Sequence, residues 1–197
     1  METAIKELFR KNNGILKTSE IQAAGCYYDK IQRLVDSGEI EPIRRGYYRY
    51  VDDDIYSDIP IIASLFPDAV LCLESALDFY GYIDRTPDCW HVAVKNTSAR
   101  ARFNTRCIRI KPHFITPEKF STGITTENID GFDIKIYDRD KTICDILSYK
   151  NKLDAEIYSQ AVKGYINDNK KDVASLAKYA KKLHVENKLR EVLLAWL

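Results

Sequence analysis

Long hydrophobic runs are missing from this 197-residue chain. No stretch of about 18 apolar residues occurs, so a membrane-spanning helix is not expected. The N-terminus also lacks the basic segment followed by an apolar stretch that marks secretion, and the reading is of a cytoplasmic protein without a membrane partner. Cysteine is sparse and badly spaced for structural use. Cys26, Cys72, Cys89, Cys107 and Cys144 are scattered, odd in number and never two residues apart. That pattern argues against a disulfide framework and a zinc site, and for reduced thiols. The three histidines (His91, His113, His184) are equally dispersed, so neither a metal nor another cofactor is expected. A glycine-rich phosphate loop, a Ser-His-Asp order and a Cys-His pair are all absent, which leaves little room for an enzyme. Asp133-Ile134-Lys135, with Pro87-Asp88 upstream, is the remaining candidate. It echoes metal-dependent nucleases of the PD-(D/E)xK kind, but a D-x-K on a strand shares one face simply by β alternation.

A strong overall charge is lacking too, since the formal net is only +1. The average conceals segregation. Residues 1–50 carry nine bases and seven acids, residues 51–84 eight acids and no base, and residues 85–120 eight bases against Asp88 and Glu118. Blocks of this kind create local potentials that the whole-chain sum hides.

What is present begins at residue 14. Upstream, Ile5, Leu8 and Phe9 recur at helical spacing, and Gly14 ends that first helix. Thr18 suits an N-cap for a short second helix with Ile21 and Ala24 turned inward. Gly25 supplies the turn, and a third helix is predicted over about residues 27–37, with Cys26, Ile31, Leu34 and Val35 inside and Gly38 at its end. Its opposite side presents Tyr27, Tyr28, Lys30, Gln32 and Arg33, donor-rich side chains that can reach base edges and phosphates in a major groove. Ile40 and Ile43 then alternate with polar residues, Arg44-Arg45-Gly46 forms a tip, and Tyr47 to Tyr50 return. A basic hairpin after a helix-turn-helix is the plan of a winged DNA-binding domain, with Arg44 and Arg45 placed for a narrow minor groove. An outer helix face of this polarity is otherwise an ordinary solvated surface; the hairpin beside it favours DNA.

These residues resemble a known family. Gly25-x5-Ile31-x2-Leu34-Val35-x2-Gly38-x-Ile40 and Arg45-Gly46-x-Tyr48 are similar to the N-terminal domain of AbiEi-type proteins, antitoxins and transcriptional regulators of type IV toxin–antitoxin (abortive phage infection) systems. Leu73-Glu74-Ser75-Ala76-Leu77 with Tyr80-Gly81 resembles the Ser/Thr-Ala-Leu-x3-Gly element of that family's second domain. Asp140-Lys141-Thr142-x2-Asp145-Ile146-Leu147 resembles its Glu-Arg-Thr-x2-Asp element, with Asp for Glu and Lys for Arg. Those replacements keep the charges but remove a guanidinium fork. The resemblance implies a repressor that binds inverted repeats in its own operator, as a weak dimer or as cooperative monomers. It also implies an antitoxin to an AbiEii-type nucleotidyltransferase toxin, with no stable complex required. The toxin's own Gly-Ser and Asp-x-Asp pattern is absent here.

The rest reads as α+β. The boundary is expected at Val51-Asp52-Asp53-Asp54, between a winged helix at 1–51 and an α+β regulatory or antitoxin domain at 57–197. Helices are predicted at 59–66 and 71–80, strands at 90–95, 107–111 and 132–137, and C-terminal helices from about residue 141 at 141–149, 154–167, 173–183 and from 185. The closing Trp196-Leu197 needs burial on the domain or on a partner. Lys95, Arg100, Arg102, Arg106, Arg109 and Lys111 form a basic stretch that admits two readings. It is a second positive surface for DNA phosphates, an RNA or an acidic toxin face, or it is a solvated loop neutralised by the acids of 51–84. The competing function is a winged-helix regulator without a toxin, whose second domain senses a ligand or protein.

Overall fold

The computed structural model describes residues 2–51 and 57–194, with side chains described for 4–51 and 57–192. The chain is α+β and divides into two compact units. The first comprises residues 1–67, 100–109 and 128–133; the second comprises 68–99, 110–127 and 134–197. The expected linker residues Asp52 to Asp54 and the terminal Trp196-Leu197 lie outside the described residues.

The first unit opens with α1 (Glu2–Lys11), β1 (Ile15–Lys17), α2 (Thr18–Ala23), α3 (Tyr28–Asp36), β2 (Ile40–Arg44) and β3 (Tyr47–Tyr50), followed by α4 (Ile59–Leu65). The apolar positions of the three helices meet in one cluster: Ile5, Phe9, Leu16, Ile21, Cys26, Ile31, Leu34 and Ile40. The strands form an antiparallel sheet in the order β1-β3-β2, with Leu16 opposite Tyr48 and Ile40 opposite Tyr50. Helix, strand, two helices and a hairpin in this order are consistent with a winged helix-turn-helix. Gly25 is at φ +80, the left-handed turn that separates α2 from α3.

Two local expectations are corrected. Thr18 is the first residue of α2 rather than its N-cap, because the Lys17 amide is taken by the Glu20 carboxylate at 2.7 Å. Ala24 is exposed at the helix end, and the inward position passes to the buried Cys26.

The second unit begins with β4 (Val70–Leu71), α5 (Leu73–Phe79), β5 (Trp90–Lys95), β6 (Ile110–Ile115) and α6 (Pro117–Phe120). It continues with β7 (Ile124–Ile129) and β8 (Phe132–Tyr137), whose adjoining ends at 128–133 fall in the first unit, and then with α7 (Arg139–Tyr149), α8 (Ala155–Asn167), α9 (Val173–Leu183) and α10 (Glu186–Leu194). The five strands order as β6-β5-β4-β8-β7. β5 pairs parallel to β6 and antiparallel to β4, and β4 pairs parallel to β8. Leu71 therefore belongs to a strand, and the helix expected over 71–80 starts only at Leu73. The strand expected at 107–111 starts later and runs through Pro112, which β6 tolerates as an edge strand with no donor required on its outer side. No described helix is long and apolar enough to cross a membrane.

Both second-domain motifs turn out to hold this unit together. Ser75 Oγ accepts from the His91 amide at 2.8 Å, while Tyr80 Oη donates to the Tyr137 carbonyl at 2.8 Å, so the Ser-Ala-Leu element ties α5 to β5 and β8. In α7, Asp138 caps the helix by accepting from the Lys141 amide at 2.7 Å. Asp140 accepts from Tyr165 Oη at 2.7 Å and from the Asp172 amide at 3.0 Å, joining α7 to α8 and to the start of α9. Lys141, 1% exposed, places its ammonium 2.6 Å from both Asp145 oxygens and 4.0 Å from the Tyr137 ring. Burial holds the Asp145 carboxyl above its ordinary value, with the Lys141 ammonium opposing.

Candidate nucleic-acid interface

The first unit's polar face is built on α3. Ile31 and Leu34 are 3% and 5% exposed and anchor the helix to the core, so the other side of the cylinder must face outward. Tyr27 and Tyr28 are 71% and 73% exposed, an unusual display for two phenol rings in a row. Gln32 and Arg33 are exposed as well. Lys30 is half-buried, and Gln32 donates to Asp36 at 2.9 Å one turn along. Of the five residues expected on this face, Tyr27, Tyr28, Gln32 and Arg33 are thus brought to the surface together, and Lys30 only in part.

The hairpin separates its two arginines. Arg45, beside Gly46 at φ +80, makes the two-residue tip and is exposed. The Gly46 carbonyl accepts from the Thr18 amide at 2.9 Å, which ties the tip to the start of α2. Arg44 is the last residue of β2 and half-buried. Its guanidinium lies 4.3 Å from the centre of the Tyr47 ring, and Nη1 donates to the Arg102 carbonyl at 3.3 Å. The third arginine of the hairpin, Arg49, pairs across the strands with Glu41 at 2.5 Å and is neutralised locally.

The basic stretch at 95–111 is divided between the two units. Lys95 and Lys111 belong to the second unit, at opposite ends of the β5–β6 pairing. Arg100, Arg102, Arg106 and Arg109 belong to the first unit, in the segment that connects β5 to β6. Residues 100–103 form a short 3-10 turn whose Phe103 is buried and stacked on Phe66, with ring centroids 5.2 Å apart. The Arg106 amide donates to the Ile43 carbonyl at 3.0 Å, and Ile108 is buried. Arg100, Arg106 and Arg109 are exposed, while Arg102 is half-buried over the Phe66 and Phe103 rings. Sequence reasoning finds these arginines but not their association with the hairpin, because that association runs through the Ile43 and Arg102 carbonyls.

Asp133 and Lys135 share the exposed face of β8, as strand alternation requires, and Asp133 accepts from Asn128 Nδ2 at 3.2 Å. Among the described residues, no group of three His, Cys, Asp or Glu side chains is arranged to hold a metal. His91 and His113 do meet in the second unit, with Nδ1 and Nε2 3.3 Å apart, and Tyr149 Oη lies 3.5 Å from His113 Nδ1. Burial lowers both imidazoles to about 4, helped for His91 by His113 and Lys111, and for His113 by Lys111 and Lys152. Both rings are therefore neutral near pH 7.

Residues 4–51 match the family of AbiEi antitoxin transcriptional regulators, the family that the motifs at 25–48 resemble. The fold is similar to that of the RV2827C protein from Mycobacterium tuberculosis. Its crystal structure superposes with a TM-score of 0.68 over 94% of this chain and 75% of that one, at 13% identity. No curated protein matches the sequence.

Proposed function

We propose that the chain is a winged-helix transcriptional regulator that represses its own operon and serves as antitoxin to an AbiEii-type nucleotidyltransferase toxin of a type IV, phage-defence system. One observation carries the DNA-binding part. The exposed face of α3, with Tyr27, Tyr28, Gln32 and Arg33, and the arginine tip of the hairpin occur in one small unit that matches the AbiEi regulator family. In this reading α3 enters a major groove. Arg33 forks onto a guanine edge or a phosphate, the two tyrosines contact phosphates or thymine methyls, and Arg45 reaches into the neighbouring minor groove.

Two copies on an inverted repeat follow from the two-fold symmetry of such operators, held either by a weak dimer contact or by cooperativity on the DNA. The antitoxin part rests on the family match at 4–51 and on the Ser75-Ala76-Leu77 and Asp140-Lys141-Thr142-x2-Asp145 motifs of the second unit. The reading supposes a cytoplasmic protein and no catalytic activity of its own.

The direct test is an electrophoretic shift of the DNA immediately upstream of this gene against scrambled DNA of equal length, at two salt concentrations. Selective binding that weakens with salt supports the regulator; equal binding to both duplexes removes it. The antitoxin part is tested separately by co-expression with a nucleotidyltransferase encoded beside it. Growth that is not restored by this chain removes that part and leaves a regulator without a toxin.

A further inference from the structure

The segment 100–109 is tied to the hairpin at two points and to the end of α4 at a third. Phe103 stacks on Phe66, the Arg106 amide donates to the Ile43 carbonyl on β2, and Arg44 Nη1 donates to the Arg102 carbonyl. Within the segment, Thr105 Oγ1 donates to the Ile108 carbonyl and Ile108 is buried, so its backbone is fixed from both ends. Around these anchors the segment contributes four arginines and no acid. Arg106 and Arg109 are exposed, and among the described residues neither side chain enters an ion pair. A merely solvated loop needs no such anchoring, and a loop neutralised at its exposed end would show Arg106 and Arg109 against carboxylates.

We propose that residues 100–109 extend the wing as a phosphate-contacting ledge. Arg106 and Arg109 grip the sugar-phosphate backbone of double-stranded DNA beside the groove the wing enters, and Arg44 is the positioning residue that holds the ledge to β2. Arg44 therefore acts through the Arg102 carbonyl and the Tyr47 ring rather than by touching DNA itself. The ledge carries no sequence information. Point-charge contacts to phosphates set affinity and register, while α3 reads bases. This inference rests on the DNA-binding reading above.

The test is equilibrium binding of the full chain to the upstream duplex and to its scrambled counterpart over a series of salt concentrations. Each phosphate contact contributes roughly 0.9 to the slope of log affinity against log salt. Arg106→Gln with Arg109→Gln is expected to flatten the slope by about 1.8 and to weaken both duplexes by the same factor, with the unfolding temperature unchanged. Arg44→Met is expected to flatten the slope by clearly more than ~0.9 in the wild-type chain and by almost nothing in the Arg106/Arg109 double variant, with Arg44→Lys restoring most of the loss.

An unchanged slope in the double variant overturns the ledge. A fall of ~0.9 for Arg44→Met in both backgrounds overturns its positioning role and makes it a direct contact. Failure of the wild-type chain to bind either duplex is a different result, and overturns the DNA-binding reading itself.

Discussion

Replacing Lys141 by Met tests whether the Asp-Lys-Thr-x2-Asp element is an internal brace. Lys141 is 1% exposed, and both Asp145 oxygens lie 2.6 Å from its ammonium. Methionine fills nearly the same volume but leaves Asp145, whose side chain is 16% exposed, facing an apolar core. Removing one partner of a buried pair costs about 3–5 kcal/mol, because the remaining charge is stranded. For a chain of this size each kcal/mol moves the unfolding midpoint by roughly 2–4 °C, so the loss is about 10 °C. The assay is thermal and urea unfolding followed by circular dichroism, for Lys141→Met, Asp145→Leu and the pair together. The double variant should recover most of the loss, giving a coupling energy of about 2 kcal/mol or more.

The pH arm has a definite sign. Without the ammonium, the folded carboxyl titrates well above its unfolded value of about 3.9, so the folded state of Lys141→Met holds the extra proton. Its deficit must then shrink as pH falls from 7.5 toward 5. A single-variant loss below about 1 kcal/mol, or a double variant as unstable as the sum of the singles, would refute the brace and free the element for partner contact.

Arg33→Ala should weaken operator binding by about 1–3 kcal/mol and relax preference at one base pair, read by titrating a panel of single-base operator variants. Arg45→Ala should weaken all duplexes alike and flatten the salt slope by about 0.9, measured in the same titrations. The His91–His113 pair sets an acid limit on stability. Both are held at about 4 against an ordinary 6.5, so the unfolded chain binds more protons between those values. Stability is then full above pH 6.5 and falls by roughly 3 kcal/mol for each imidazole as pH drops to 4, and His113→Gln should flatten that urea-unfolding profile. Gly123→Ala should destabilise the fold by about 2 kcal/mol or more in the same assay. Gly123 stands at φ +67, and an added Cβ would come 2.5 Å from the Lys141 Cβ.

Where hydrophobic period and punctuation agree, the fold is legible in the sequence. Ile31, Leu34 and Val35 against Gly25 and Gly38 define α3 to within a residue at each end, and Asp154, Asp172 and the periodic apolar residues after them place α8 and α9. Misreadings arise where a tertiary partner decides. Val70-Leu71 is too short to announce itself as a strand and becomes one only because β5 and β8 flank it. β7 is absent from the sequence expectation, although Asp130-Gly131, both at positive φ, is a two-residue hairpin signal between alternating runs. The candidate site follows the same rule. The outward face of α3 is a matter of helical period, whereas the withdrawal of Arg44 onto Tyr47 and Arg102 depends on a segment some sixty residues away in the chain.

The central claim is that α3 and the wing read an operator, and hydroxyl-radical footprinting of the region upstream of this gene tests it most directly. The account predicts protected backbone at two inverted half-sites, with centres spaced by about one helical turn or a multiple of it, and protection on both strands that Arg33→Ala abolishes at the base-reading positions. Even protection along the duplex, equal on scrambled DNA and untouched by Arg33→Ala, would contradict it.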